Sequence, residues 1–198
     1  MANVIYDSVL NQTYTDFGPL DNDTRWYDQN NQTVPIWILN QLKNKQKSGI
    51  VGGFPGANVP IMNQTVTYSQ DYHNKLDWFE KVDNLIKLFT SQTKEERINF
   101  GVLYFPEPDE TGHQFGPYSN ETKEILMKCD STIGYLIAQL VKFGLYDKMN
   151  IIVTADHGMD VASFNHSIDL SDYVDISKFK SYGGLTQINI FPNNRRFR

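Results

Sequence analysis

The sequence is poor in features that mark several classes of protein. Its 198 residues include a single cysteine, Cys129, so no disulfide forms within the chain. It has no run of 18 apolar residues and hence no candidate transmembrane helix. Residues 1–14 lack the basic start and apolar stretch of a signal peptide. Lys/Arg clusters are absent and the net charge is −5, so binding in a nucleic-acid groove is not expected.

Several catalytic signatures are missing as well. Neither GxGxxG nor the P-loop pattern occurs, so Gly183-Gly184 is interpreted as a turn rather than a phosphate loop. No GxSxG nucleophile elbow is present, which gives a serine-esterase triad no support. No Cys-x-Pro-x-Arg stretch occurs, which weighs against a sulfatase. An acidic chain that acts on phosphates would need bound cations to attract them.

Aromatic residues and asparagine, in contrast, are abundant. The 12 Phe, 11 Tyr and 3 Trp argue against disorder, and the length suffices for one α/β domain with its own core. Asn-x-Ser/Thr sequons number six, where chance gives roughly two for this composition. They begin at Asn11, Asn22, Asn31, Asn63, Asn120 and Asn165. We therefore expect a glycosylated protein of the secretory pathway, extracellular or at the cell surface, although the lone cysteine would also suit the cytosol.

Hydrophobic periodicity predicts three helices. Residues 34–46 carry Pro35 in a first turn and place Ile36, Leu39 and Leu42 on one face. Residues 77–89 have apolar side chains at 78, 79, 82, 85, 86 and 89, the stripe of an amphipathic helix. Residues 120–143 form a long helix with Gly144 at its end. Its apolar stripe consists of Ile125, Cys129, Ile133, Leu136, Leu140 and Phe143.

Apolar runs between the helices predict strands. Residues 48–56 indicate a short buried strand that leads into a Gly/Pro loop, and residues 98–105 and 150–156 indicate strands buried on both faces. Residues 186–191 are a further candidate. This alternation predicts an α/β fold with a mostly parallel sheet flanked by helices on both faces. In such sheets ligands bind beyond the carboxyl ends of the strands.

Two polar motifs follow the strands at those ends. Asp109 and His113 come after one strand in EPDETGH, and Asp156-His157 follows the next in ADHGM. Each pair combines a carboxylate with an imidazole, a mixture that suits zinc or a related divalent ion. Gly112 and Gly158 would let the backbone turn sharply beside a ligand, where a Cβ would clash. Together the pairs predict one closed metal site, or half of each site in a two-metal centre.

A purely structural interpretation competes with the metal site. A single DxxxGH is a weak pattern, and an Asp after a strand often only caps a helix. The occurrence of both motifs at strand ends favours the metal. His73 and His166 lie in polar surroundings without a partner at ligand spacing, and are interpreted as surface histidines.

The motifs carry a family resemblance. EPDETGHQFGP and IIVTADHGM resemble the metal motifs of the ectonucleotide pyrophosphatase/phosphodiesterase family, of the alkaline-phosphatase superfamily. Four further segments resemble the same family in the same order: NVIYDS, VPIWILNQLKNKQKSG, FPGANVPI and YGGLTQINIFP. The resemblance covers nearly the whole chain. It implies an alkaline-phosphatase-like fold, with residues 1–198 as the central part of a single type I phosphodiesterase/nucleotide pyrophosphatase catalytic domain.

The resemblance also implies functional residues. Asp109 and His113 would bind one zinc ion, Asp156 and His157 a second, so the complete enzyme would hold two Zn²⁺. Tyr68 lies near the position where the family stacks an aromatic ring on a nucleotide base, and Tyr72 is an alternative. The substrate would be a nucleotide or another small phosphodiester.

The resemblance sets limits too. The family's nucleophilic Thr, one Asp ligand and one His ligand match no residue of this chain, so we expect a fragment that lacks both ends of the domain. Any membrane anchor would also lie outside the chain. FPGAN places Asn58 where an acid is usual. Two alternatives stay open: an inactive glycoprotein that keeps the fold, and a choline-phospholipid phosphodiesterase of the same family.

Overall fold

The structure, a computed structural model, describes most of the chain. The described residues are 4–7, 11–15, 24–27, 33–70, 76–163, 165, 167–183 and 188–193. Its centre is a parallel three-stranded sheet with β3 (Ser48–Val51) between β4 (Tyr68–Ser69) and β5 (Phe100–Leu103). Both pairings of β3 are parallel, with Gly49 opposite Tyr68 and Gly101. The α/β class and the parallel sheet are therefore confirmed.

The two predicted strands of this sheet differ in burial. All four residues of β3 are buried, as the apolar run predicts. β5 was expected to be buried on both faces, but its four residues are only half-buried. The reason is its position: β5 pairs with β3 on one side and, within the described residues, with no strand on the other. An edge strand has fewer neighbours to cover it.

Helices α1 (Thr24–Tyr27) and α2 (Ile36–Asn44) precede the sheet. The face that Ile36, Leu39 and Leu42 share is covered only in part, because Ile36 and Leu39 are exposed while Ile38 is fully buried. Ile38 packs with Val59 and Ile61 of the loop after β3, and Leu42 lines the same cluster. Where that loop returns over the helix decides which face is covered, and helical spacing alone does not contain this information.

Helix α3 (Trp78–Thr90) lies where its apolar stripe predicts. Asp77 caps it, since its carboxylate accepts the Phe79 N–H at 2.9 Å while Glu80 accepts the Asp77 N–H at 3.1 Å. Such a capping box satisfies backbone donors that have no partner within the helix. Farther along α3, Val82 and Ile86 are buried in the core.

The long predicted helix is α5 (Asn120–Lys142). Leu140 is buried against Val82 and Ile86 of α3. Gly144 has φ +65°, the left-handed conformation that ends helices and that glycine adopts without strain. Cys129 is half-buried and unpaired, in agreement with its place on the apolar stripe. Short 3₁₀ helices follow at Tyr146–Lys148, Leu170–Asp172 and Ile176–Lys178.

Two antiparallel hairpins lie outside the parallel sheet. β1 (Val4–Asp7) pairs with β2 (Gln12–Thr15), a hairpin that the sequence pattern did not predict. β6 (Phe179–Gly183) pairs with β7 (Ile188–Pro192), so the strand expected at 186–191 exists but is antiparallel and has alternating exposure. The hairpins meet through aromatic rings, with Tyr6 stacked on Tyr182 at a centroid distance of 4.0 Å.

The predicted strand at 150–156 is the main error of the sequence analysis. These residues form no strand and are exposed, Ile152 by 85% and Val153 by 67%. The apolar run has the composition of a buried strand, but a strand exists only when a neighbour pairs with its backbone. None of the strands in the described part of the chain pairs with it.

Candidate metal centre

The first predicted pair lies on a helix that the sequence analysis did not foresee. Helix α4 (Asp109–Phe115) begins six residues after β5 ends, at the carboxyl edge of the sheet. On a helix, residues four apart lie on the same face. Accordingly, His113 Nε2 lies 3.5 Å from Asp109 Oδ1. The spacing that suggested a ligand pair is therefore the helical i, i+4 spacing.

Glu107 helps to form the start of this helix. Its carboxylate accepts the Thr111 N–H at 3.0 Å and the Thr111 hydroxyl at 2.8 Å. Because the first N–H groups of a helix have no partner within it, this acceptor stabilises the first turn. Among the acids in EPDETGH, Glu107 is therefore engaged in hydrogen bonds to Thr111 of α4, whereas Asp109 faces His113.

The second pair converges on the first from the loop that follows α5. His157 Nε2 lies 3.6 Å from Asp156 Oδ2 and 3.8 Å from Asp109 Oδ1. His157 Nδ1 lies 2.9 Å from the Gly158 carbonyl oxygen. With Nδ1 donating to that carbonyl, Nε2 keeps its lone pair and points toward the two carboxylates. The structure thus brings all four predicted residues together.

The donor set fits a divalent cation. Asp109 Oδ1 is buried and has no hydrogen-bond partner, which is costly for a carboxylate oxygen unless a cation lies beside it. Two ligands of one tetrahedral zinc ion lie roughly 3.3 Å apart. The spacings within the two pairs, 3.5 and 3.6 Å, are close to that value. Even so, the described residues include no group of three or more His, Cys, Asp and Glu side chains arranged to hold a metal.

The charges of the site act on His157. The Gly158 carbonyl, Asp156 and Asp109 raise the pKa of His157 above its ordinary value. Each of these partners stabilises the protonated imidazole, because each presents negative charge or a carbonyl dipole to the ring. The same features would favour a metal cation in place of the proton.

The glycine of α4 has a role different from the predicted one. Gly112 lies inside α4, so it makes no sharp turn. A Cβ at this position would lie 2.4 Å from the sulfur of Met159, so the end of that side chain would have to move aside. Gly158, by contrast, has open space around its missing Cβ. The predicted clash therefore exists at Gly112 alone.

Other predicted residues lie elsewhere. Tyr68 is half-buried in β4 and packs against the core cluster of Val51, Leu85 and Ile98, so its ring contacts protein side chains. The alternative, Tyr72, lies outside the described residues, as do His73 and His166. Four of the sequon asparagines are described, and all are exposed: Asn11, Asn63, Asn120 and Asn165. The others, Asn22 and Asn31, lie outside the described residues.

One polar contact near the site was missed altogether. The Tyr118 hydroxyl donates a hydrogen bond of 2.9 Å to Asp160 Oδ1, although 42 residues separate them. No periodic pattern links residues so far apart, so the sequence held no signal for the pair.

Among the described helices, none has both the length and the apolar character needed to cross a bilayer.

Comparisons with known proteins define the class. All of residues 1–198 match the family described as type I phosphodiesterase / nucleotide pyrophosphatase. The chain is similar to bis(5'-adenosyl)-triphosphatase enpp4 of Mus musculus, with 34% identity over 180 residues that make up 90% of this chain and 38% of the relative. It is also similar to ectonucleotide pyrophosphatase/phosphodiesterase family member 7 of Rattus norvegicus, with 36% identity over 164 residues, 80% of this chain and 35% of that protein.

Solved structures agree. Murine ectonucleotide pyrophosphatase/phosphodiesterase 5, solved as an inactive threonine-to-alanine variant in complex with AMP, superimposes with a TM-score of 0.79 at 32% identity. The match covers 99% of this chain and 50% of that one. The fold is therefore alkaline-phosphatase-like, as the resemblance implied.

The chain belongs to the type I phosphodiesterase/nucleotide pyrophosphatase family, a family of hydrolases. It spans less than half the length of the curated relatives described above. That residues 1–198 form the central part of a single catalytic domain stays a prediction.

Proposed function

We propose that this protein is a zinc-dependent phosphodiesterase that hydrolyses phosphodiester or pyrophosphate bonds of extracellular nucleotides. The observation that carries the proposal is a cluster in which His113 and His157 both lie within 4 Å of Asp109 Oδ1, a buried oxygen without a hydrogen-bond partner. Asp156 joins the cluster through His157, at 3.6 Å. Carboxylate and imidazole are the ligand types of hydrolytic zinc sites. Family membership supplies the reaction class.

The residues would divide between two ions. Asp109 and His113 would hold one Zn²⁺ from α4, and Asp156 and His157 would hold the other from the loop after α5. When bound, zinc stabilises negative charge on the phosphoryl oxygens as a Lewis acid. Two carboxylates offset only part of the charge of two divalent ions, so the loaded site stays positive and attracts phosphate to an acidic protein.

The chain's own residues prepare the ligands. The Gly158 carbonyl holds the His157 ring with Nε2 free to bind, and a fixed second nitrogen orients a histidine ligand. The Glu107 carboxylate holds the first turn of α4, from which Asp109 projects. The nucleophilic threonine of the family is assigned to no residue of this chain. The inactive threonine-to-alanine relative supports that nucleophile for the family.

A nucleotide is the substrate that the relatives support. One solved relative binds AMP, and one curated relative is named for a bis(5'-adenosyl) substrate. An aromatic ring at Tyr68 or Tyr72 would stack on the base. The core packing of Tyr68 in β4 favours Tyr72 between the two.

We also propose that the protein passes through the secretory pathway. Six sequons support this, and the four that the structure describes have exposed asparagine side chains, as glycosylation requires. Expression in a eukaryotic secretory host, followed by treatment with an N-glycosidase, should lower the apparent mass. An unchanged mass would contradict the proposal.

The function itself is tested with zinc and substrate on the full-length protein. We expect hydrolysis of a p-nitrophenyl nucleotide that a chelator abolishes and added zinc restores. Competition between a dinucleotide and a choline lysophospholipid identifies the substrate class. Zinc-independent hydrolysis, or preference for the lysophospholipid, would overturn the corresponding part of the proposal.

A further inference from the structure

The loop that carries Asp156 and His157 has little backbone support. Residues 150–163 make no backbone–backbone hydrogen bond to any other described residue. Their side chains are exposed except for that of Met159, which is half-buried. Yet His157 Nε2 lies 3.8 Å from Asp109 Oδ1 on α4. Side-chain contacts must therefore hold the loop beside the helix.

The first such contact is the hydrogen bond between Tyr118 and Asp160. Tyr118 lies between α4 and α5, three residues after α4 ends, and its side chain is 69% exposed. Its hydroxyl donates to Asp160 Oδ1 at 2.9 Å, and the Val161 N–H donates to the same oxygen at 2.7 Å. One carboxylate oxygen thus joins the end of the loop to the segment that follows α4.

The second contact seats Met159 against Gly112. The Met159 sulfur lies only 2.4 Å from the place that a Cβ at position 112 would take. Gly112 is next to His113 and three residues after Asp109. Met159 in turn lies two residues after His157. The contact therefore joins the two ligand pairs by a very short path through the chain.

We infer that Tyr118, Asp160 and Met159 are positioning residues that hold Asp156 and His157 at binding distance from Asp109 and His113. The inference rests on the proposed metal function. One contact begins at Gly112 inside α4, and the other begins at Tyr118 just after α4. Both end within four residues of Asp156 and His157. Functional side chains need placement within about 0.5 Å, and two contacts at different points restrict a loop far more than one does.

The test compares Tyr118→Phe with Tyr173→Phe in chain 1–198. Both changes remove one hydroxyl from an exposed tyrosine, 69% and 75% exposed respectively, and Tyr173 makes no described side-chain hydrogen bond. Zinc affinity is measured by competition with a chromophoric chelator, and the d–d absorption of bound Co²⁺ reports ligand geometry. We expect Tyr118→Phe to weaken binding by about three- to tenfold, the range for one lost hydrogen bond, and to shift the cobalt spectrum. Tyr173→Phe should do neither.

A second pair of variants tests the Met159 contact. Met159→Ala should weaken zinc binding and shift the cobalt spectrum, because the contact between the loop and Gly112 is lost. Met127→Ala truncates an exposed methionine of α5, 70% exposed, and is the matched control that should leave both unchanged. If Met159→Ala and Met127→Ala give the same zinc affinity and the same cobalt spectrum, the positioning role of Met159 is wrong.

Failure of the metal site and failure of the inference give different results. If unmodified chain 1–198 binds no zinc, the metal proposal is overturned. Hydrogen exchange of the 156–161 amides without metal then still decides the inference, since Tyr118→Phe should speed exchange there and Tyr173→Phe should not. If zinc binds but Tyr118→Phe matches Tyr173→Phe in affinity, cobalt spectrum and exchange, the inference is overturned.

Discussion

At the scale of single residues, Asp109 matters most for the proposed chemistry. Its Oδ1 atom is buried without a hydrogen-bond partner and lies within 4 Å of two imidazoles. Proteins rarely leave a buried carboxylate oxygen in that state without a cation or proton donor. Asp109 also belongs to α4, a rigid element, whereas Asp156 belongs to a loop.

We expect Asp109→Asn to remove the zinc ion that Asp109 and His113 would hold, because an uncharged amide is a poor zinc ligand although it keeps the shape of the side chain. Elemental analysis after dialysis against micromolar zinc measures the bound metal. Asp147→Asn, in the 3₁₀ helix at Tyr146–Lys148, is the matched control and should keep the zinc content of the unmodified chain. Equal zinc in both variants would refute the ligand assignment.

Cys129 provides a second prediction at this scale. Burial, and secondarily the Glu107 carboxylate, raise the pKa of the Cys129 thiol above its ordinary value. Less thiolate is then present at pH 7.5, and the thiolate is the reactive form. We expect iodoacetamide to label Cys129 much more slowly in the native chain than in the chain unfolded by urea. Equal rates would show that the thiol is neither buried nor shifted.

At the scale of elements, α3 is stabilised by its first turn. The Asp77 carboxylate accepts the Phe79 N–H, and the Glu80 carboxylate accepts the Asp77 N–H. Asp77→Ala should lower the free energy of unfolding by about 1 kcal/mol, since an N–H at the helix start loses its acceptor. Urea unfolding followed by circular dichroism measures the change. Asp130→Ala, on the exposed side of α5, should change it by much less.

Helix α4 shows how local rules can predict a site and still miss its element. The i, i+4 spacing of Asp109 and His113 was read as a metal motif in a turn, and it is one turn of a helix. Pro106 and Pro108 disfavour the prediction of a helix in this segment, because proline interrupts a helix when it lies inside one. Here the prolines precede α4, and the Glu107 carboxylate binds its first turn.

At the scale of the whole molecule, the exposed apolar run at 150–154 stands out. Ile152 and Val153 are largely exposed, and β5 has a side to which no described strand pairs. Unpaired edges and exposed β-prone runs promote association between chains. Chain 1–198 should therefore associate as its concentration rises.

We expect Ile152→Lys to reduce this association, because a charge in the run opposes pairing between chains. Light scattering from 10 to about 200 µM measures the effect at a fixed salt concentration. Ile168→Lys adds the same charge at another exposed isoleucine, 75% exposed, outside the run. If both variants reduce scattering equally, net charge is the cause and the run at 150–154 has no special role.

The sequence by itself determined the α/β class, the three helices and the buried strand β3. These depend on periodicity, composition and spacings of a few residues, which local backbone geometry converts directly into structure. The family and the four candidate ligands were predicted from motifs that resemble those of known proteins. Tertiary structure alone decided that Ile38 rather than Ile36 is buried on α2, and that residues 150–154 pair with no described strand. It also decided that His157 meets Asp109 and that Tyr118 meets Asp160. Such contacts join residues tens of positions apart, and their existence depends on the path of the whole chain between them.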